Sequence, residues 1–258
     1  MNGTFSPRPG AAPLATQVLA QARMETQLLL RNGEQLLLAI VIPVIVLVGA
    51  VKGAEHLGLD IAERPVDLFT PGVFALAVMS SSFTSLAIMT GFERRYGVLK
   101  RLGASPLPRH GLLLGKTGAL VTVLVVQLAV IGVVGAALGW HPATGGPVGW
   151  LGALLAVVLG VAAFASLGLF LAGVLRAEAT LAVANLVYLL LLAGGGVVVP
   201  TTSYGALGRV LPLLPSGALG DAMRAAFLDG RIGWGHLVVL LVWALVGAAL
   251  TARTFTWE

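Results

Sequence analysis

The chain contains no cysteine, so disulfide bonds and metal sites built on thiolates are excluded. Charged side chains are also scarce. They make up 10% of the residues, whereas a soluble globular domain has about a quarter. Hydrophobic residues instead reach 57%, and the mean hydropathy is +0.95. These proportions exclude an ordinary soluble domain and indicate an integral membrane protein.

The chain has 11 acidic and 16 basic residues. No acidic residue lies inside a run that is long enough to span a bilayer. Ion-driven carriers usually keep a carboxylate at membrane depth, so this absence disfavours a secondary carrier. No paired carboxylates and no Ser-His arrangement appear, so we expect neither an enzyme nor a metal site. The histidines are far apart in sequence: His56, His110, His141 and His236.

Six apolar runs are each long enough to cross a bilayer as a helix, which takes about 20 residues. The predicted spans are 36–54, 71–92, 111–140, 148–175, 179–199 and 232–252. The expected fold is therefore an all-α integral membrane protein with six transmembrane helices. We expect one permease-like domain over 36–258, because no soluble segment is long enough to form its own core.

The first 35 residues form a separate amphipathic segment. Within it, Ala12 to Asn32 is predicted to be a helix that lies at the membrane interface before the first span. Gln21 and Glu25 fall on its otherwise apolar face, so the amphipathic pattern is imperfect. The alternative is a partly disordered tail.

Basic residues are distributed unequally between the two sides of the predicted topology. Cytoplasmic loops are enriched in Lys and Arg, so the richer side is predicted to be cytoplasmic, together with both termini. Five basic residues lie on the poorer side: Lys52, Arg64, Arg209, Arg224 and Arg231. Eleven lie on the richer side: Arg8, Arg23, Arg31, Arg94, Arg95, Lys100, Arg101, Arg109, Lys116, Arg176 and Arg253.

The segment from Phe92 to Lys116 is the one strongly charged island between two spans. Its apolar residues recur at helical spacing, which predicts a short amphipathic helix that begins with Glu93 near its positive end. Such a helix can insert into a groove on a partner protein. Its cations can equally serve only to fix the topology while the helix lies on anionic lipid.

The run ERRYGVLKRLGASPLPR from Glu93 to Arg109, followed by Gly115 and Lys116, resembles a loop of the type-two ABC exporter permeases. These are the membrane subunits of many bacterial drug, antibiotic and polysaccharide exporters. A second block, LPLLPSGALGDAMR from Leu211 to Arg224, resembles the segment where that family has short helices that dip into the outer leaflet. The matching loop positions are Glu93, Arg94, Gly97, Leu99, Leu102, Pro106, Arg109, Gly115 and Lys116.

The resemblance implies that the loop is a cytoplasmic coupling helix that docks on a separate ATP-binding subunit. It also implies a homodimer, or a pair with a sibling permease, in a 2:2 complex in a bacterial plasma membrane. ATP and Mg²⁺ would be held by the partner subunit, and this chain would bind no cofactor and no nucleic acid. The implied coupling residues are Glu93, Arg94, Arg95, Tyr96, Gly97, Leu99, Lys100 and Arg101.

The expected function is then export of a hydrophobic or amphipathic substrate, because no span offers a fixed charge to hold an ionic one. The alternatives are a secondary carrier and a non-transporting membrane scaffold. Polar residues of two spans are the candidates for the substrate path, although they equally suit helix packing. They are Ser81, Ser82 and Ser85 of the second span, with Asn185 and Tyr188 of the fifth.

The external segment from Pro200 to Ile232 is predicted to contain a half-buried helix. Ser216 is expected to cap it at Gly217, and Gly230 to end it. Asp221 and Arg224 are expected off the apolar face. The residues of that face either form an external gate or plug the outer end of the bundle: Leu219, Met223 and Phe227.

One motif resembles a nucleotide site and is rejected. The run from Gly111 to Thr117 reads GLLLGKT, but the phosphate-binding loop requires four residues between its glycines and a preceding strand. Here three residues separate the glycines, and an apolar helix is predicted. If ATP drives this protein, another chain binds it.

The topology is testable with single cysteines, because the chain has none of its own. An impermeant thiol reagent applied to intact cells should label Ala62→Cys and spare Ser105→Cys, since the loop that holds Ser105 is predicted to be cytoplasmic. Labelling of Ser105→Cys with protection of Ala62→Cys would mean an inverted topology and would rule out the export hypothesis.

Overall fold

The computed structural model describes residues 12–31, 33–58, 63–98, 101 and 109–254. Within these residues the chain is helical and contains no strand. The helices are α1 Leu14–Arg31, α2 Gly33–His56, α3 Pro65–Met79, α4 Leu86–Arg95, α5 Arg109–Ala137, α6 Pro147–Val174, α7 Ala177–Gly194, α8 Pro215–Phe227 and α9 Trp234–Thr254.

Six helices in the described part of the chain are long and apolar enough to cross a membrane, which confirms the predicted all-α fold with six spans. Their apolar stretches are Ala39–His56, Pro65–Arg95, Leu114–Ala137, Pro147–Val174, Ala177–Gly194 and Trp234–Thr254. The predicted interfacial segment is helical as α1.

The second span is the centre of the bundle. It runs without interruption from Pro65 to Arg95, and 72% of its most apolar window is buried inside the protein, against 17% to 33% for the other five. A π-helical turn over Ser80–Ser85 joins α3 to α4. There α6 comes so close that a side chain at Gly168 would lie 2.8 Å from the Phe83 carbonyl oxygen.

The fifth span is shorter than predicted. It ends at Gly194, not at Val199, and residues 195–199 are not helical. Gly196 has a φ of +71°, a conformation that L side chains rarely adopt. The chain continues through two short 3₁₀ segments, Thr201–Arg209 and Leu211–Leu213, into α8. The glycine run at 194–196 therefore ends the helix.

Arg224 shows why the prediction for the external helix is partly wrong. The helix α8 is almost entirely buried, and only 6% of Arg224 is exposed. Its Nη1 lies 2.9 Å from Asp221 Oδ1 and 3.4 Å from the Gly196 carbonyl oxygen, while its Nη2 donates to Val197 at 2.8 Å and Val198 at 2.5 Å. The guanidinium therefore satisfies carbonyl groups that the non-helical turn leaves without backbone partners.

Two neighbouring contacts complete this arrangement. Ser216 does not cap α8, because its Oγ donates to the Gly195 carbonyl oxygen at 2.8 Å and the helix begins at Pro215. Thr201 donates to the second oxygen of Asp221 at 2.6 Å. Burial lowers the pKa of Arg224, and Asp221 opposes that change by favouring the charged guanidinium.

We expect Arg224→Met to destabilise the protein strongly, because it leaves the Asp221 carboxylate without its cation and the turn carbonyls without their side-chain donor. Removing one partner of a buried ion pair costs about 3 kcal/mol or more. For a chain of this size we expect the melting temperature of the purified permease to fall by about 10 °C.

Arg231→Met is the matched control, since Arg231 forms an exposed pair with Asp229. Such surface pairs are worth about 1 kcal/mol or less. Equal melting temperatures for the two variants would contradict the structural role assigned to Arg224.

Candidate functional site

A buried charge cluster joins three helices at the base of the 93–116 loop. Lys116 Nζ on α5 lies 2.5 Å from Glu93 Oε1 on α4 and 3.2 Å from Glu25 Oε1 on α1. Only 4% of the Lys116 side chain and 6% of the Glu25 side chain are exposed. Gln21 donates to the same Glu25 oxygen at 2.9 Å. The cluster therefore fixes the interfacial helix and both ends of the loop to one another.

The cluster explains the imperfect amphipathic pattern of α1. Gln21 and Glu25 are four residues apart, so they lie on the same face of the helix, and that face packs against α5. Gly115 makes the approach possible, because a side chain there would lie 2.5 Å from Gln21 Cγ. The polar residues that interrupt the apolar face are thus the ones that bind α1 to the third span.

The position of Glu93 contradicts the prediction that it begins the loop helix. It was expected near the start of a new helix, but α4 continues the second span and Glu93 lies in its last turn. A carboxylate at that end of a helix is disfavoured by the helix dipole, so Lys116 compensates for both the dipole and the burial. The second carboxylate oxygen of Glu93, Oε2, has no hydrogen-bond partner within the described residues. One lysine thus serves two carboxylates.

The two arginines after Glu93 bind α4 to the turn between α6 and α7. Arg94 donates to the carbonyl oxygens of Ala172 at 2.8 Å and of Gly173, which belong to the last turn of α6. Arg95 forms an ion pair with Glu178 in the first turn of α7. A cation that caps the last carbonyls of a helix is favourable, so the ends of three spans on the side of the 93–116 loop are held together.

Beyond Arg95 the predicted loop helix is interrupted. The helix α4 ends there, and Gly97 has a φ of +66°. Tyr96 is 64% exposed and stacks on Phe92. Arg101 is exposed, and its N–H donates to the Gly97 carbonyl oxygen at 3.1 Å. Leu99, Lys100 and residues 102–108 lie outside the described residues, so their predicted coupling role stays a prediction.

A cavity of about 220 Å³ lies between the first, second and fifth spans. Three of the predicted path residues meet there: Ser85 from the second span, and Asn185 and Tyr188 from the fifth. Sequence reasoning missed two further hydroxyl residues that line it, Ser80 and Thr84. The remaining lining comes from Ala39, Ile42, Pro43 and Ile88.

Ser81 and Ser82 are not part of this lining. Ser81 donates to Gln127 Oε1 at 2.6 Å, and Gln127 Nε2 donates to the Ala39 carbonyl oxygen at 2.9 Å. Ser82 is fully buried. Gln127 was also missed, although a carboxamide inside an apolar span is a visible sequence signal. Ser81 and Gln127 thus connect the first three spans to one another.

The three predicted gate residues are core residues in this structure. Leu219, Met223 and Phe227 are each at most 5% exposed. Phe227 packs against the rings of Phe74 and Trp140, with ring centroids 5.7 and 5.4 Å apart. The face they share is thus the one that seats α8 among the spans.

The rejected nucleotide motif lies within a helix. Residues 111–117 belong to α5, so their backbone forms a helical turn and not a phosphate-binding loop. Among the residues that the structure describes, no group of three or more histidine and acidic residues is placed to hold a metal ion.

Comparison with known proteins identifies the family. The family model described as "ABC-2 type transporter" matches residues 16–228. The chain is also similar to the protein named "Putative transport permease YvfS" of Bacillus subtilis (strain 168), with 25% identity over 171 residues, which cover 66% of this chain and 69% of that protein. Because the family model covers most of the chain, the protein belongs to the ABC-2 type transporter family as a membrane-spanning permease subunit.

Proposed function

We propose that this permease is the membrane subunit of an ATP-driven exporter, which moves a hydrophobic or amphipathic substrate out of the cytoplasm. A separate subunit would bind and hydrolyse ATP with Mg²⁺. The observation that carries the proposal is the fixed base of the 93–116 loop. There Glu93, Arg94 and Arg95 tie the end of the second span to α1, α5, α6 and α7.

This base supports mechanical coupling through one continuous helix. A force on the loop acts on Glu93 and Arg94, whose partners are buried or part of a helix end. The same helix leads without a break to Ser85, Thr84 and Ser80, which line the cavity. A displacement at the loop would therefore reach the cavity along a single element.

The cavity suits a weakly polar substrate. Its polar lining consists of hydroxyl groups and one carboxamide, and it contains no charged side chain. The helices that border it, α2 and α7, carry exposed apolar residues, including Ile45 at 63% and Leu189 at 57%. A second copy of the permease that packs on these helices would turn the cavity into an enclosed cleft. We therefore propose a homodimer with two ATP-binding subunits.

The proposed setting is a bacterial plasma membrane with both termini in the cytoplasm. It rests on the eleven basic residues that the six-span topology places on the side of the loop, against five on the other. The ATP-binding subunit would then meet the loop from the cytoplasm.

We expect Leu99→Asp to uncouple the permease from its ATP-binding subunit, because it places a charge in the predicted apolar contact. Loss of a central contact costs about 2 kcal/mol, which is about 30-fold in affinity. The measurements are co-purification of the two subunits and stimulation of ATP hydrolysis. Leu57→Asp is the matched control, since Leu57 is 71% exposed at the opposite end of the first span. Equal behaviour of the two variants would mean that the loop only sets topology.

We expect Ser85→Trp to block export while assembly and basal ATP hydrolysis persist, because the indole would occupy the cavity of about 220 Å³. Export of a candidate substrate from inverted vesicles should fall by about tenfold or more, since such a cavity holds only a small ligand. Ser85→Ala should transport normally.

Ser82→Trp provides the contrast. Ser82 is fully buried, so a large side chain there should overpack the core at a cost of about 1–3 kcal/mol and impair assembly. Normal export by Ser85→Trp would refute the proposed path.

A further inference from the structure

A second cavity, of about 370 Å³, lies where the second span ends and the fifth span begins. Its lining contains three guanidinium groups and one carboxylate, so positive charge exceeds negative charge by two. The other two lining residues are small and apolar. The full lining is Gly91, Arg94, Arg95, Arg176, Ala177 and Glu178. It shares no residue with the cavity on the proposed substrate path.

One of the three arginines, Arg94, is held in place before any ligand arrives. The α6 carbonyl groups fix Arg94, with Nη1 2.8 Å from the Ala172 oxygen and Nη2 3.4 Å from that of Leu175. Arg95 pairs with Glu178, but both side chains are at least half exposed. Exposed pairs contribute little free energy, so a stronger anion can displace this carboxylate. Arg176 is exposed and has no ion-pair partner among the described residues.

The backbone adds to this positive field. Arg176 is the N-cap residue of α7, with extended backbone angles and no side-chain hydrogen bond to the helix. The first amide groups of an α-helix have no partner within the helix, and they carry partial positive charge. In this 18-residue helix they open beside the three arginines, so both features favour an anion at the same place.

We propose that this cavity binds the phosphate group of an anionic phospholipid from the leaflet on the side of the 93–116 loop. Guanidinium groups match phosphate oxygens with two parallel hydrogen bonds. The cavity lies at the ends of two spanning helices, which is the depth of lipid headgroups. Basic pockets between spanning helices bind such headgroups. The volume exceeds what a bare phosphate or a carboxylate needs and leaves room for the glycerol unit.

A bound lipid would link the end of the second span to the start of the fifth. Arg94 and Arg95 belong to the former, and Arg176 and the α7 amides to the latter. Both spans line the proposed substrate path. The lipid would therefore brace the path at its loop side, independently of any ATP-binding subunit.

The test is a titration of the purified permease in detergent with short-chain phosphatidylglycerol, with short-chain phosphatidylcholine as the zwitterionic comparison. Arg176→Gln should weaken phosphatidylglycerol binding by about fivefold, the effect of one cation near an anionic headgroup. Glu178→Gln should strengthen it, because Arg95 loses its competing carboxylate. Both residues are exposed, and unchanged melting temperatures would verify that the variants fold.

Arg23→Gln is the matched control, because Arg23 is an exposed cation of α1 on the same side of the membrane. It should leave binding unchanged. An equal loss in Arg23→Gln and Arg176→Gln would mean diffuse surface attraction and overturn the site.

A titration with inorganic phosphate distinguishes a lipid headgroup from a free phosphate ion as the ligand of this cavity. If inorganic phosphate binds as tightly as phosphatidylglycerol and with the same dependence on Arg176, the site holds a free ion and the lipid assignment is wrong. If Arg176→Gln leaves lipid binding intact but abolishes binding of a candidate ATP-binding subunit, the cavity is a protein docking site and the lipid proposal fails.

Discussion

The placement of Lys116 between two buried carboxylates is the interaction on which the loop side of the structure depends. A buried charge is tolerated only with partners, and here one ammonium group serves Glu25 and Glu93 together. Its loss would leave two carboxylates facing each other inside the protein. That repulsion would weaken the attachment of both α1 and α4 to α5. The position of the interfacial helix, the end of the second span and the start of the third are therefore one linked set.

Two arginines donate hydrogen bonds to backbone carbonyl groups at opposite ends of the bundle. Arg94 donates to carbonyl groups in the last turn of α6, and Arg224 donates to carbonyl groups of the turn that ends the fifth span. Buried carbonyl groups have little water to bind, so those at helix ends and in turns need donors from the protein itself. Gly72 lets Arg224 reach them, because a side chain there would lie 2.8 Å from Nη2. Both arginines therefore stabilise the fold directly, in addition to contributing to the charge asymmetry that predicts the topology.

The sequence predicted the six spans because the bilayer fixes a helix length that any apolar run must satisfy. It predicted α1 because the amphipathic pattern of an interfacial helix is local in sequence. It could not predict the partners of the charged residues, since Arg94 and its acceptor Ala172 are 78 residues apart. The sequence predicted Arg224 off the buried face, because a cation is expected to be exposed unless it has buried partners. Its partners include backbone carbonyl groups, which a sequence pattern does not reveal. Three of the five predicted path residues line the cavity and two do not, for a local reason. The π-helical turn at Ser80–Ser85 adds a residue to one helical turn, which changes the hydroxyl groups that share a face.

That π-helical turn also bears on how the proposed coupling would work. A helix held at one end by Lys116 and the α6 carbonyl groups cannot tilt freely, because tilting breaks buried contacts. A π-helical turn departs from the hydrogen-bond pattern of the α-helix around it and often marks a functional site. Rotation of α4 against α3 would therefore be concentrated at Ser80–Ser85, where Ser80, Thr84 and Ser85 line the cavity. In the proposed exporter the loop need only turn α4 slightly for the lining of the path to change.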